Sequence, residues 1–137
     1  MNLKGISYYL GLSCYPITFL SFFNILYSSY FDHYLNLDSY ILTLVISFLF
    51  GTSFYLFSKN GEKNIKFYEK LVLIFLVYLL VSLLISIPYY FSSYQFSFID
   101  SLFEAMSGLT TTGFTVLYNV KFLDPTLIIW RSSSHWI

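Results

Sequence analysis

The sequence predicts an all-α protein built to sit in a lipid bilayer, and three observations carry that expectation. Hydrophobic residues make up 57% of the chain, charged residues 10% and aromatic residues 23%, where an ordinary soluble domain carries about 25% charged residues. Three apolar runs are each long enough to cross about 30 Å of hydrocarbon. The third run is followed by a short amphipathic segment and a loop rich in threonine and glycine, a combination with no place in a plain helical bundle. In water, much of the Phe, Tyr, Leu and Ile would lie exposed in apolar patches beyond roughly a few hundred Å². Lipid is the solvent that accepts such a surface.

The first run, residues 6–30, is broken only by Gly11, Pro16 and Asn24. It exceeds the 7–15 residues typical of a signal-peptide core and no small-residue cleavage site follows, so it reads as a span. The second run, 40–57, contains no charge and ends at Lys59. The third, 71–91, is the most hydrophobic, and Pro88 removes an amide donor near its end, which kinks or closes the helix. Lys4 precedes the first run, and Lys59, Lys63, Lys66 and Lys70 lie between the second and third. Short cytoplasmic loops retain Lys and Arg, which puts the N-terminus and this connector in the cytoplasm. Asp32, Asp38, Asp100, Glu104 and Asp124 then fall on or near the opposite side, either as a solvated rim or as a mouth that gathers cations.

Several function classes are excluded at this stage. A net charge of zero leaves no basic footprint for nucleic acid. Cys14 is the sole cysteine; with only His33 and His135 beside it there is no internal disulfide and no zinc-ligand spacing, and a packing role fits it. The seven acids are scattered and no nucleophile, base and orienting group come together, so no enzyme and no organic cofactor are expected.

Between residues 96 and 109, Ile99, Leu102, Phe103, Met106 and Leu109 recur at helical spacing, with Ser97 placed to cap the first turn and Asp100 to support it. This helix is too short to span, so it is interfacial or a re-entrant half-helix. Thr110-Thr111-Thr112-Gly113-Phe114-Thr115 follows, poor helix material with three β-branched residues before a glycine. Non-helical backbone at membrane depth must be buried in protein or line a watery cavity. Its chemistry is that of a potassium filter, in which backbone carbonyls replace the water of an entering ion. Gly113 takes positive φ at low cost and turns successive carbonyls the same way. Alone, Thr-Thr-Thr-Gly is as consistent with a plain turn. Glu104 either tunes the outer field or hydrogen-bonds loop amides, and Arg131 either anchors at the interface or pairs with an acid such as Glu104. Tyr89, Tyr90 and Tyr94 read as an interfacial aromatic belt; His135 has no assigned role.

Residues 98–136 carry, in order, Phe103-Glu104, Ser107-Gly108, Thr111-Thr112-Gly113 and Trp130-Arg131-Ser132. This arrangement resembles the first membrane–pore–membrane repeat of the Trk/Ktr/HKT superfamily of potassium transporters, and two spans ahead of the repeat resemble its bacterial Trk-type subfamily. The resemblance implies two leading transmembrane helices at residues 1–66, then at 67–137 the first membrane–pore-loop–membrane repeat, truncated in its last helix. It implies filter carbonyls from Thr111, Thr112, Gly113 and Phe114, and potassium as the transported ion, moved passively or by symport. It further implies a multi-pass protein of the cell inner membrane. Its expected partners are the lipid bilayer, the remaining pore repeats, a second copy in a homodimer and a cytoplasmic nucleotide-binding regulatory subunit. The alternative is a structural or accessory membrane subunit in which residues 107–117 are only an interfacial turn, or a non-functional truncated product without transport activity.

Overall fold

The computed structural model describes residues 2–59, 61, 64–117 and 123–136. Lys63, counted in the orientation argument, and Ile137, the last residue of the expected repeat, lie outside them. The described residues form α1 (Leu3–Tyr30), α2 (Leu37–Ser58), α3 (Phe67–Tyr90), α4 (Phe98–Leu109) and α5 (Pro125–Ser134). The first three are long and apolar enough to cross a membrane. Each begins a little before its apolar run, and for α1 and α3 the cause is a cap. Asn2 Oδ1 accepts the Gly5 amide at 3.0 Å, and Glu69 Oε2 accepts the Lys66 amide at 2.8 Å. Pro88 closes α3 two residues later, at Tyr90.

Polar contacts tie the chain together at both ends of the bundle. At one end, Glu69 Oε1 accepts the Asn2 amide at 2.6 Å, and Asn2 Nδ2 donates to the Asn64 carbonyl at 3.1 Å. Lys4, Lys59, Lys66 and Lys70 gather there. At the other end, Asn36 Nδ2 donates to Asp124 Oδ2 at 3.1 Å, the Ser93 amide donates to Asn36 Oδ1 at 3.1 Å, and the Asp124 amide donates to the Tyr94 hydroxyl at 2.7 Å. The α1–α2 connector, the α3–α4 connector and the start of α5 are thereby joined. Asp32, Asp38 and Asp100 lie at this end with Asp124, so the aspartates stand opposite the lysines, with the capping carboxylate Glu69 on the lysine side.

α1 and α2 form a long antiparallel hairpin whose crossing uses the smallest residues. A Cβ on Gly11 would stand 2.9 Å from the Gly51 carbonyl oxygen and 3.0 Å from the Tyr55 amide nitrogen, whereas one on Gly51 would meet Cys14 Cβ at 3.2 Å. Such small residues let helix backbones approach where lipid offers no hydrophobic drive. A hydroxyl contact, Thr18 Oγ1 to Ser47 Oγ at 2.8 Å, lies further along the same seam. Cys14 is buried and packs in the core, as expected.

α5 packs against α1, α4 and α3, and its side chains reach Tyr40 of α2. Trp130, 1% exposed, donates from Nε1 to the Ile85 carbonyl at 3.1 Å. Tyr40 donates to Thr126 Oγ1 at 3.1 Å, and its ring lies 5.7 Å from that of Trp130. Tyr89 belongs to the same core, fully buried, which corrects its placement in an exposed belt; Tyr94 is occupied by Asp124, and Tyr90 alone of the three stands exposed. α3 packs on one face and leaves the other exposed, so adjacent residues such as Tyr89 and Tyr90 fall on opposite sides.

The apolar stripe of α4 faces outward. Ile99 is 78% exposed, and Phe103 and Met106 are also exposed, while Ser101, Glu104, Ala105, Ser107 and Gly108 are buried against α3 and α5. Small side chains permit the close approach, and the apolar side is left for lipid or further protein. The unequal clearances at the α1–α2 crossing give an expected order of effects. Gly11→Ala, which must displace backbone, should lower stability in a detergent unfolding titration by about 1–3 kcal/mol. Gly51→Ala should cost less, and an equal or reversed pair would contradict the crossing geometry.

Candidate functional site

α4 starts at the acidic end, immediately after α3. Ser97 Oγ accepts the Asp100 amide at 3.1 Å and donates to Asp100 Oδ2 at 2.7 Å, the cap that the sequence indicates. Its 12 residues reach about 18 Å at 1.5 Å per residue, short of a bilayer. Near its far end Gly108 sits so close to α5 that an added Cβ would overlap Ser134 Oγ. α5 itself starts back at the acidic end, where Asp124 meets Asn36 and Tyr94. α4 and α5 therefore both start at the acidic end of the bundle, and the far part of α4 lies against the far part of α5.

The helix stops in a defined way. The Thr111 amide donates to the Gly108 carbonyl at 2.9 Å and the Thr112 amide to the Ser107 carbonyl at 3.2 Å, the paired bonds of a Schellman motif. That motif needs a left-handed residue between them, and Thr111 supplies it at φ 56°. Glycine or asparagine is usual at that position; a β-branched residue there is strained by about 1–3 kcal/mol. Gly113, at φ 74°, is the second left-handed residue. Gly113 is thus not alone in taking positive φ, because the helix cap imposes it on Thr111 as well. A Cβ at Gly113 would meet nothing within 4 Å, so this stretch of loop has an open side.

Behind the loop lies a buried ion pair. Glu104, 1% exposed, accepts the Val116 amide at 2.7 Å and the Thr115 hydroxyl at 2.6 Å, both on Oε1. Arg131 Nε stands 3.3 Å from Glu104 Oε2; its N–H is not aligned for a hydrogen bond, and the contact is one of charge. Arg131 Nη2 donates to the carbonyls of Gly113, at 3.1 Å, and Phe114, at 3.3 Å. Ser107 Oγ also donates to the Phe114 carbonyl, at 2.6 Å. Of the alternatives at the sequence level, Glu104 bonds the loop and Arg131 pairs with it.

The four residues expected to supply filter carbonyls are consecutive and all exposed, with Phe114 at 70%. They separate into two kinds. The carbonyls of Gly113 and Phe114 are held from the α5 side, whereas those of Thr111 and Thr112 have no donor among the described residues. Two participants were not legible in the sequence. Ser107 and the carbonyl face of Arg131 act across 7 and 17–18 residues, and no local spacing marks such a pair.

No family model and no solved structure matches the chain. It is 33% identical over 136 residues to an uncharacterized cation transporter of Methanocaldococcus jannaschii, an alignment covering 99% of this chain and 28% of that protein. With the Trk system potassium uptake protein TrkG of Escherichia coli it shares 30% identity over 103 residues, 74% of this chain and 21% of that protein. With the Trk system potassium uptake protein TrkI of Halomonas elongata it shares 31% over 74 residues, 54% of this chain and 15% of that protein. The chain thus spans less than a third of the length of these relatives.

A carboxylate that serves both a guanidinium and two loop donors should not be separable from them. Glu104→Ala is expected to destabilise the protein by about 3–5 kcal/mol, the cost of leaving a buried partner unpaired. The double variant Glu104→Gln/Arg131→Gln should cost less than the sum of its single changes, and additivity in that cycle would contradict the coupling.

Proposed function

We propose that this chain, which is homologous to Trk-type potassium uptake transporters over part of their length, takes part in potassium uptake across the inner, plasma membrane and contributes one pore loop to the filter. Thr111, Thr112, Gly113 and Phe114 are its filter residues. On this reading residues 67–137 form the first pore-loop repeat, residues 1–66 the two leading spans, and the remaining repeats complete the pore. Potassium is the transported ion, as the names of the Trk relatives state for those proteins.

The observation that carries the proposal is the pair of carbonyls at Thr111 and Thr112, which belong to exposed residues and have no donor among the described residues. At membrane depth a carbonyl left in lipid costs several kcal/mol, so such groups belong against water or an ion. Strain at Thr111 supports the same reading. A plain interfacial turn would gain stability from glycine at that position, and a β-branched residue held there at a cost points to a demand on the loop beyond chain reversal. The C-terminal end of α4, where the helix dipole is negative, is directed into the loop and favours a cation there. Segregation of lysines to one end supports a cytoplasmic N-terminus.

Gly113→Ser tests the filter in the complete transporter. Nothing lies within 4 Å of the added Cβ, so the effect comes through the φ of 74° and through a side chain on the open face, not through a core clash. Potassium-limited growth should fail or the K⁺/Na⁺ preference should fall, with the protein still present in the membrane; unchanged uptake would sink the assignment. For the orientation, a reporter fused at Asn36 should give an extracytoplasmic signal, and a cytoplasmic signal would reverse the topology.

A further inference from the structure

The Glu104–Arg131 pair is placed to do more than fill space behind the loop. The Arg131 side chain reaches two kinds of partner at once: Nε faces Glu104 Oε2 at 3.3 Å, while Nη2 reaches the Gly113 and Phe114 carbonyls at 3.1 and 3.3 Å. Glu104 holds the next two positions through the Thr115 hydroxyl and the Val116 amide. Four successive residues, Gly113 to Val116, are therefore fixed by one carboxylate and one guanidinium. The Phe114 carbonyl is doubly engaged, since Ser107 Oγ also donates to it at 2.6 Å.

We infer that Arg131 is a positioning residue for ion selectivity: it draws the Gly113 and Phe114 carbonyls toward α5, fixes the outer limb of the loop, and leaves the Thr111 and Thr112 carbonyls as the oxygens free to face a desolvated monovalent cation. The inference rests on the filter reading above and deepens it, because it divides the four filter residues into two that meet the ion directly and two held at its boundary.

Two physical points support the assignment. First, a planar guanidinium presents several donors in a fixed fork, so one side chain serves a carboxylate and two carbonyls together; a lysine ammonium is a compact point charge on a flexible stem and does not reproduce that geometry. Second, a bare cation beside filter carbonyls would repel an arriving ion. With Glu104 against Nε the pair is neutral overall, so the carbonyls are oriented without a net positive charge being added next to them. Removing the guanidinium and removing its counter-charge should therefore have different consequences. Without Arg131 the outer limb loses its geometry, and discrimination between ions of different size suffers. Without the Glu104 charge the geometry is partly kept, but every monovalent cation meets the uncompensated guanidinium.

The test compares Arg131→Gln, Arg131→Lys, Glu104→Gln and Gly113→Ser in the complete transporter, with rubidium and sodium uptake measured at matched membrane levels. Arg131→Gln should lower the ratio of rubidium to sodium transport efficiency about tenfold, with Arg131→Lys recovering only part of it. Glu104→Gln should raise the half-saturating concentration of both ions by a similar factor while moving the ratio little. A wild-type ratio in Arg131→Gln, or equal loss for both ions, would overturn the inference. If Arg131→Gln does not reach the membrane, Arg131→Lys decides: a lowered ratio supports the inference and a wild-type ratio overturns it. Gly113→Ser separates the two levels. If it shifts the ratio and the Arg131 variants do not, only the role of Arg131 falls; if neither shifts it, the filter reading falls as well.

Discussion

Glu104 is a carboxylate buried among Ala105, Ser107 and the packed faces of α3 and α5, whereas the other buried carboxylates among the described residues, Glu69 and Asp124, lie at the two ends of the bundle. An isolated ion there would carry a desolvation penalty of several kcal/mol. Its partners offset that penalty, and they come from different parts of the chain: a loop amide and hydroxyl from residues 115 and 116, and a guanidinium from α5. Helix, loop and α5 are therefore mutually dependent. α4 cannot hold its charge without α5, and among the described residues Glu104 is the acceptor that anchors the Val116 amide.

The rest of the bundle positions α5 to meet that requirement. Asp124 is fixed at the acidic end by Asn36 and Tyr94, and Trp130 is locked onto α3 through the Ile85 carbonyl. Arg131 is the next residue, so its direction is set by the burial of its neighbour. The α1–α2 hairpin contributes Tyr40, which meets Thr126 and the Trp130 ring. A contact at the Gly11–Gly51 crossing is thus remote from the loop yet connected to it through α2, and α1 and α2 act as a wall against which α3 and α5 pack.

The long elements were legible in the sequence because their signal is local. Three charge-poor runs need no knowledge of their neighbours to be read as spans, and the Ser97 cap and the stop before Gly113 follow from residue types a few positions apart. Glu104 was legible as a residue in need of partners, since a charge inside an apolar helix rarely stands alone. What escaped is three-dimensional. Periodicity located the apolar stripe of α4 but could not say that it faces outward, because which face is buried depends on whether small residues such as Gly108 find a neighbour such as Ser134. Tyr89 and Tyr90 are adjacent in sequence and opposite in environment for the same reason. The positive φ of Thr111 was hidden because residue type argues against it; only the hydrogen bonds that end α4 reveal that this position must be left-handed. The hold of Arg131 on the Gly113 and Phe114 carbonyls depends on how the loop returns, and no spacing rule contains that information.

Whether the exposed Thr111 and Thr112 carbonyls meet an ion is the central claim, and it is open to direct observation. The most direct measurement is the anomalous scattering of thallium or rubidium in crystals of this chain within the pore proposed above. An ion peak coordinated by the Thr111 and Thr112 carbonyl oxygens is expected, with Arg131 still seated on the far side of Gly113 and Phe114. Ion peaks elsewhere along the protein, with only water or lipid against those two carbonyls, would contradict it.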